Sequence, residues 1–256
     1  MILEICCADI CSVAASLAGG AGRIELCSAL EAGGLTPSAG LIRSAIAMCA
    51  GRLPVNVLIR PRPGDFLYSE SELSVMLVDV STAVRAGAAG VVIGALTVDG
   101  RIDMDSCSRM ISEAKSCNPH ISVTFHRAFD MCRDPLEALD DIVALGCDRV
   151  LTSGMAPSAM AGASMLRMLR HKASGRIMIM AGAGVNSGNI AELVGETDVD
   201  EVHASAKATQ RSGMEFRRED VAMGKPDADE YSRLITSVGE VRRMADVLNC
   251  FKDQTI

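Results

Sequence analysis

Short apolar runs recur along the chain at 2–6, 23–27, 55–59, 90–93, 121–125, 149–151, 177–180 and 201–203. Several of them break at their C-terminal end into charged, histidine or glycine clusters. Aliphatic runs of this length, bounded by Gly, Pro and small polar residues, read as buried strands. Between them lie segments whose apolar residues follow helical spacing. Strand then helix, eight times over about 250 residues, predicts an α/β fold, a (β/α)8 or TIM barrel. No linker or shift of composition interrupts the pattern, so residues 1–256 are expected to form a single domain.

Punctuation supports the same reading. Ser38 is placed to cap the second helix, and Ser69-Glu70-Ser71-Glu72 has the form of a capping box before the third. Asp134-Pro135 opens the fifth helix with proline at its first position. Pro157-Ser158 and Asn186-Ser187 are expected to open the sixth and seventh. The polar stretch 207–229 has no periodicity and predicts a long loop, of the kind that serves as a lid or contact surface. A last helix is expected over 229–249.

Composition narrows the classes. Apolar residues make up 49% of the chain, with two Tyr, five Phe and no Trp, so the core and barrel interior are expected to be aliphatic and Met-rich. Net charge is −7 and no Lys/Arg run exceeds two residues, which argues against nucleic acid as a partner. No apolar stretch suits a membrane span, and the N-terminus lacks the basic and apolar segments of a signal peptide. A cytoplasmic protein is expected, with its ten cysteines reduced.

Barrel enzymes carry their chemistry just past the C-terminal ends of the strands. Here that rule collects Glu25, Arg60, His126, Arg127, Asp130 and His203 as candidate acid/base and catalytic groups. His126 leads because imidazole titrates near neutrality. Arg62, Ser153, Gly182, Gly184 and Ser205 are candidate anion binders. The run Ala181-Gly182-Ala183-Gly184 could bring backbone N–H groups to a phosphate, or simply make a tight turn. No Lys follows the sixth strand, so a Schiff-base mechanism is not expected. Glu4 and Cys6 share one face of their strand, as do Glu25 and Cys27 on the next, which places Cys6 near Cys27 at the barrel top.

Seven segments, in order, resemble the copper-homeostasis CutC family. They include Arg23-Ile24-Glu25-Leu26-Cys27, Gly33-Gly34-Leu35-Thr36-Pro37-Ser38, Ile59-Arg60-Pro61-Arg62 and Thr124-Phe125-His126-Arg127-Ala128-Phe129-Asp130. Leu151-Thr152-Ser153-Gly154, Met180-Ala181-Gly182-Ala183-Gly184 and Asp229-Glu230-Tyr231-Ser232 complete the set together with Gly64-Asp65-Phe66. Pro63 departs from the family's usual glycine and stiffens that loop. The resemblance implies a barrel, a cytoplasmic location, a homodimer or higher homo-oligomer, and a link to copper. It places the family's proposed copper ligands on Cys6 and Cys27, a thiolate pair suited to Cu(I).

The resemblance makes a Cu(I)-binding homeostasis protein using Cys6 and Cys27 the first reading, with a barrel enzyme doing acid/base chemistry on a small anionic (phosphorylated) substrate beside it and a scaffold that binds a partner through 207–229 as the third.

Overall fold

The computed structural model describes residues 1–218, 220, 221, 223 and 229–253. Eight parallel strands close into a barrel in sequential order. They are β1 (Ile2–Cys7), β2 (Arg23–Leu26), β3 (Val55–Leu58), β4 (Gly90–Ile93), β5 (Ser122–Phe125), β6 (Arg149–Thr152), β7 (Met178–Ala181) and β8 (Glu201–Ala204). Closure is made by β1, which pairs with β2 on one side (Glu4 opposite Arg23) and with β8 on the other (Glu4 opposite His203).

Around the barrel run α1 (Ile10–Gly19), α2 (Ala39–Cys49), α3 (Glu70–Arg85), α4 (Met104–Cys117), α5 (Pro135–Ala144), α6 (Ala163–Ala173) and α7 (Ile190–Thr197). Ser38 caps α2 by accepting from Leu41 N–H, and Ser69 with Glu72 forms the reciprocal capping box of α3. Asp134 accepts from two N–H groups at the start of α5, with Pro135 at the first position. The sixth and seventh helices begin later than expected, at Ala163 and Ile190. In the sixth, the preceding turn packs Gly162 so tightly on Ser153 that a Cβ would lie 1.9 Å from the Ser153 carbonyl oxygen. The chain must clear that contact before it can coil.

Part of the stretch expected to be an aperiodic loop is regular. β9 (Lys207–Arg211) pairs antiparallel with β10 (Ser232–Thr236), so the ribbon ends where a helix was expected to be under way. The last helix, α8, runs Val238–Asp253, with the Ser237 hydroxyl accepting from Glu240 N–H. The β-branched pair Ile235-Thr236 suits a strand better than a helix. Residues 219, 222 and 224–228 of the expected loop lie outside the described residues.

The aliphatic core lies between barrel and helices. Ile5, Ile24, Leu26, Val57, Ile59, Val91, Ile93, Val123 and Phe125 point outward from their strands and are fully buried there. The barrel interior differs from the expected aliphatic filling. Arg23 donates to Glu4 and to Glu201, and Arg149 donates to Glu201, Ser122 and Thr124. These charges are almost wholly removed from water. They lie on alternate strand positions, so the outward residues make the apolar core while the inward ones make an ion-pair lattice. Above it sits a small apolar layer of Cys6, Cys27, Leu58 and Val92, and above that opens the barrel mouth. Among the described residues no helix is long and apolar enough to cross a membrane.

Candidate functional site

A cavity of about 440 Å³ occupies the C-terminal mouth of the barrel. Glu25, Arg60, His126, Arg127, Asp130, His203, Gly184, Ser205 and Cys6 lie on its wall, so most of the residues singled out by strand position are brought together. Lys207, at the start of β9, lies on the same wall and has no ion-pair partner among the described residues.

β1, β2 and β8 supply an acidic cluster. His203 Nδ1 lies 2.7 Å from Glu4 Oε1 and 3.9 Å from Glu25 Oε2. Burial disfavours charge on His203, but Glu25, Cys6 and Glu4 outweigh it and hold the imidazole protonated well above its usual range. Burial also disfavours charge on Glu4, yet the His203 and Arg23 hydrogen bonds bring its carboxyl down to about 2. Glu25 lacks such support. Burial pushes it up to about 7, and its Oε2 is buried with no hydrogen-bond partner. Two carboxylates one strand apart thus have opposite protonation habits, a division seen where acid/base chemistry is carried out.

Cys6 completes this wall. Its Sγ lies 3.8 Å from Glu25 Oε1 and 3.4 Å from Cys27 Sγ. The hydrogen bond with Cys27, burial and the nearby Glu25 charge push the Cys6 thiol well up. Cys27 is fully buried behind Cys6 and is not on the cavity wall. Cys6, Glu25 and His203 each offer a ligand atom within 4.8 Å of the others, a set that could hold a metal ion.

The opposite wall comes from the ends of β3 and β5. Arg60 Nη1 donates to the carbonyls of Ala32 and Gly34, both at 2.9 Å, and Nη2 to Gly64 at 2.8 Å. Its Nε is buried without a partner. His126 Nδ1 accepts from Ala128 N–H at 3.1 Å, and Nε2 is likewise buried and unpartnered. Burial and the Arg60 charge lower the His126 imidazole to about 3, so it is neutral at physiological pH. The expectation of a near-neutral titrating His126 is therefore corrected: burial and Arg60 shift it down, and with Nδ1 accepting from Ala128 the proton of the neutral ring sits on Nε2.

Other candidates have structural partners. Asp130 accepts from Thr152, from the Ser153 and Met155 N–H groups, and from Arg127 Nε at 2.7 Å, which shapes the loop after β6. Ser153 is fully buried, and its hydroxyl proton has two alternative acceptors, Ala156 O at 2.6 Å and Asp130 Oδ2 at 3.0 Å. Arg62 does not reach the cavity. It binds Glu72 and Asp65 and lies over the Tyr68 ring, pinning its loop to the start of α3. Gly182 is a spacer below the mouth, where a Cβ would come 2.6 Å from Leu151. Two contributors were not among the candidate site residues. Phe66 packs on both Arg60 and His126, and Gly94 leaves the room in which the His126 ring sits. A glycine directly after a strand was the available signal for Gly94.

The CutC family model matches residues 1–208. The chain belongs to the CutC family. It is 46% identical over 247 residues to a CutC family protein of Vibrio campbellii, covering 96% of this chain and 98% of the relative. A CutC family protein of Bacteroides thetaiotaomicron is 45% identical over 239 residues, covering 93% of this chain and 94% of that one. Among solved structures, a CutC from Streptococcus agalactiae that bears a copper-homeostasis name superposes with TM-score 0.74 at 32% identity, over 80% of this chain and 99% of that one. Deoxyribose phosphate aldolase from Aeropyrum pernix superposes with TM-score 0.59 at 16% identity, over 79% of this chain and 85% of that one, a likeness of fold alone.

Proposed function

We propose that the barrel mouth of this CutC protein binds a small anionic metabolite and carries out acid/base chemistry on it. One observation carries the reading: Glu25 Oε2, Arg60 Nε and His126 Nε2 are all buried without a hydrogen-bond partner, and all belong to residues that line the same cavity from its two sides. Buried polar groups without partners are costly, and a ligand that satisfies three at once repays that cost. Arg127 and Lys207 at the rim supply positive charge for the anionic end. The test is calorimetric titration with a set of small phosphorylated metabolites, inorganic phosphate included. The expected result is a ligand whose affinity drops at least tenfold in Lys207→Ala and in Arg127→Ala. Affinities untouched by both substitutions would refute the reading.

A second reading, copper homeostasis with Cu(I) as cargo, is favoured by the Cys6–Cys27 separation of 3.4 Å and by the name of the Streptococcus relative. The Cys6 and Cys27 sulfurs suit a soft ion, and Cys6 also lies within 4.8 Å of ligand atoms of Glu25 and His203. Both thiols must lose their protons to ligate. This reading leaves Arg60, His126 and Lys207 without a role, which is why it stands second. Anaerobic Cu(I) titration against a competing chelator separates the two. Tight one-to-one binding lost in Cys6→Ser/Cys27→Ser supports copper, and weak binding unchanged by the substitutions counts against it. The cytoplasm is the compartment proposed for either role, on the ten free thiols.

A further inference from the structure

Resting on the reading of the mouth as a small-molecule site, we infer that its ligand is a carbonyl compound. His126 and Arg60 donate to the carbonyl oxygen while Glu25 receives a proton from the adjacent carbon.

The donors are fixed before any ligand arrives. The His126 Nδ1 lone pair is taken by Ala128 N–H, so the single proton of the neutral ring sits on Nε2. The ring is held between Phe66 and Phe125, with centroids 5.1 and 6.0 Å away. A Cβ at Gly94 would stand 2.6 Å from the ring, so this glycine lets the imidazole occupy its place. Arg60 is held as firmly. Three backbone carbonyls take three of its four terminal N–H groups, and Nε–H is buried without a hydrogen-bond partner. Its guanidinium carbon lies 5.0 Å from the centroid of the same Phe66 ring. Two orphaned N–H donors therefore flank one aromatic ring on one wall of the cavity.

That arrangement suits an oxygen that gains charge during reaction. Preorganised donors at such a position stabilise an oxyanion without reorganising when the charge forms. A neutral imidazole can serve as the electrophile, and burial with Arg60 keeps this one neutral. Glu25 belongs to the same cavity, with Oε2 unpartnered. The step balances within the site. The C–H bond beside the carbonyl breaks and its proton goes to the Glu25 carboxylate. The C–H electron pair becomes a carbon–carbon double bond, and the carbonyl π pair moves to the oxygen as an enolate held by His126 and Arg60. Return of the proton to the same carbon gives exchange or epimerisation. Its return to the former carbonyl carbon of an α-hydroxy carbonyl, with the proton of the neighbouring hydroxyl passing to the enolate oxygen so that the hydroxyl becomes the new carbonyl, gives isomerisation. No oxidant or reductant is needed.

The chain has four histidines, so nitrogen-15 histidine labelling gives a readable NMR spectrum, with His126 assigned by its loss in His126→Gln. Acetohydroxamate, a planar mimic of an enediolate, is the probe, and inorganic phosphate is the comparison anion. The expected result is a neutral Nε2–H tautomer for His126 from about pH 5 to 8, with its Nε2 resonance shifted by acetohydroxamate. A His126 that titrates in that range, or carries its proton on Nδ1, overturns the inference. So does acetohydroxamate that leaves the His126 resonance unmoved. If phosphate still binds in a Lys207-dependent way in that case, the small-anion reading survives and only the carbonyl assignment falls. If neither probe perturbs the site, both fall.

Discussion

At the scale of single residues, Glu25 and Glu4 show how neighbours divide two chemically identical groups. Both are buried inside the barrel. Glu4 receives His203 and Arg23, whereas Glu25 keeps one oxygen unpaired. The difference has a consequence for stability against pH. Glu25 is raised from 4.5 to about 7, so between those values the folded protein retains a proton that the unfolded chain has released. Its contribution to stability therefore falls as pH rises through that window. Glu4 has the opposite sign. Its carboxyl, held at about 2, contributes stability above 4.5 that is lost as pH falls toward 2. His203, raised above 6.5, adds a further decline only above that value, while His126, held near 3 against 6.5 in the unfolded chain, opposes Glu25 from 4.5 to 6.5, because there the unfolded chain binds a proton at His126 that the folded protein does not. Urea unfolding across this window should show wild type changing little, because the Glu25 and His126 contributions, roughly 2–3 kcal/mol each, have opposite sign. Glu25→Gln should instead gain roughly 2–3 kcal/mol over the same range, with His126 unopposed, while keeping the acid limb that Glu4 sets. Parallel curves for the two proteins would show that Glu25 does not hold the proton.

At the scale of elements, what could be read from the chain is what depends on local order. Aliphatic runs ended by polar clusters mark all eight barrel strands, and Ser38, Ser69 with Glu72, and Asp134-Pro135 mark helix starts. Because a parallel barrel directs every strand end to one face, strand ends alone collect Glu25, Arg60, His126 and His203 in one place. What could not be read depends on partners distant in sequence. Arg62 and Arg60 lie two residues apart after β3, yet one is turned to Glu72 and the other lines the cavity. Asp130 follows the same motif as His126 but faces the loop after β6. The β9–β10 ribbon joins segments 207–211 and 232–236, whose pairing has no short-range turn signal. The same holds for the loss of near-neutral titration in His126, which comes from burial and from Arg60 on another strand.

At the scale of the whole molecule, the mouth and the barrel floor are a single polar network. Glu4 links His203 at the mouth to Arg23 in the interior, Arg23 passes to Glu201, and Glu201 to Arg149. Replacing a buried ion-pair lattice with apolar residues can be neutral, but removing a single member leaves charges stranded out of water. Arg23→Met removes the partner shared by Glu4 and Glu201 and is expected to cost about 3–5 kcal/mol in urea unfolding. Arg149→Met removes only one contact to Glu201 and two to hydroxyl groups, so it should cost less. Because both arginines act on Glu201, the two losses should not add. A double-mutant cycle is expected to give a coupling of about 0.5–3 kcal/mol. Additive losses would mean that the two arginines act independently and that Glu201 does not join them. A loss under about 1 kcal/mol for Arg23→Met would remove the case that this lattice holds the interior together. With the lattice weakened, His203 would lose the fixed Glu4 that orients it, so the same variants connect the stability of the floor to the geometry of the mouth.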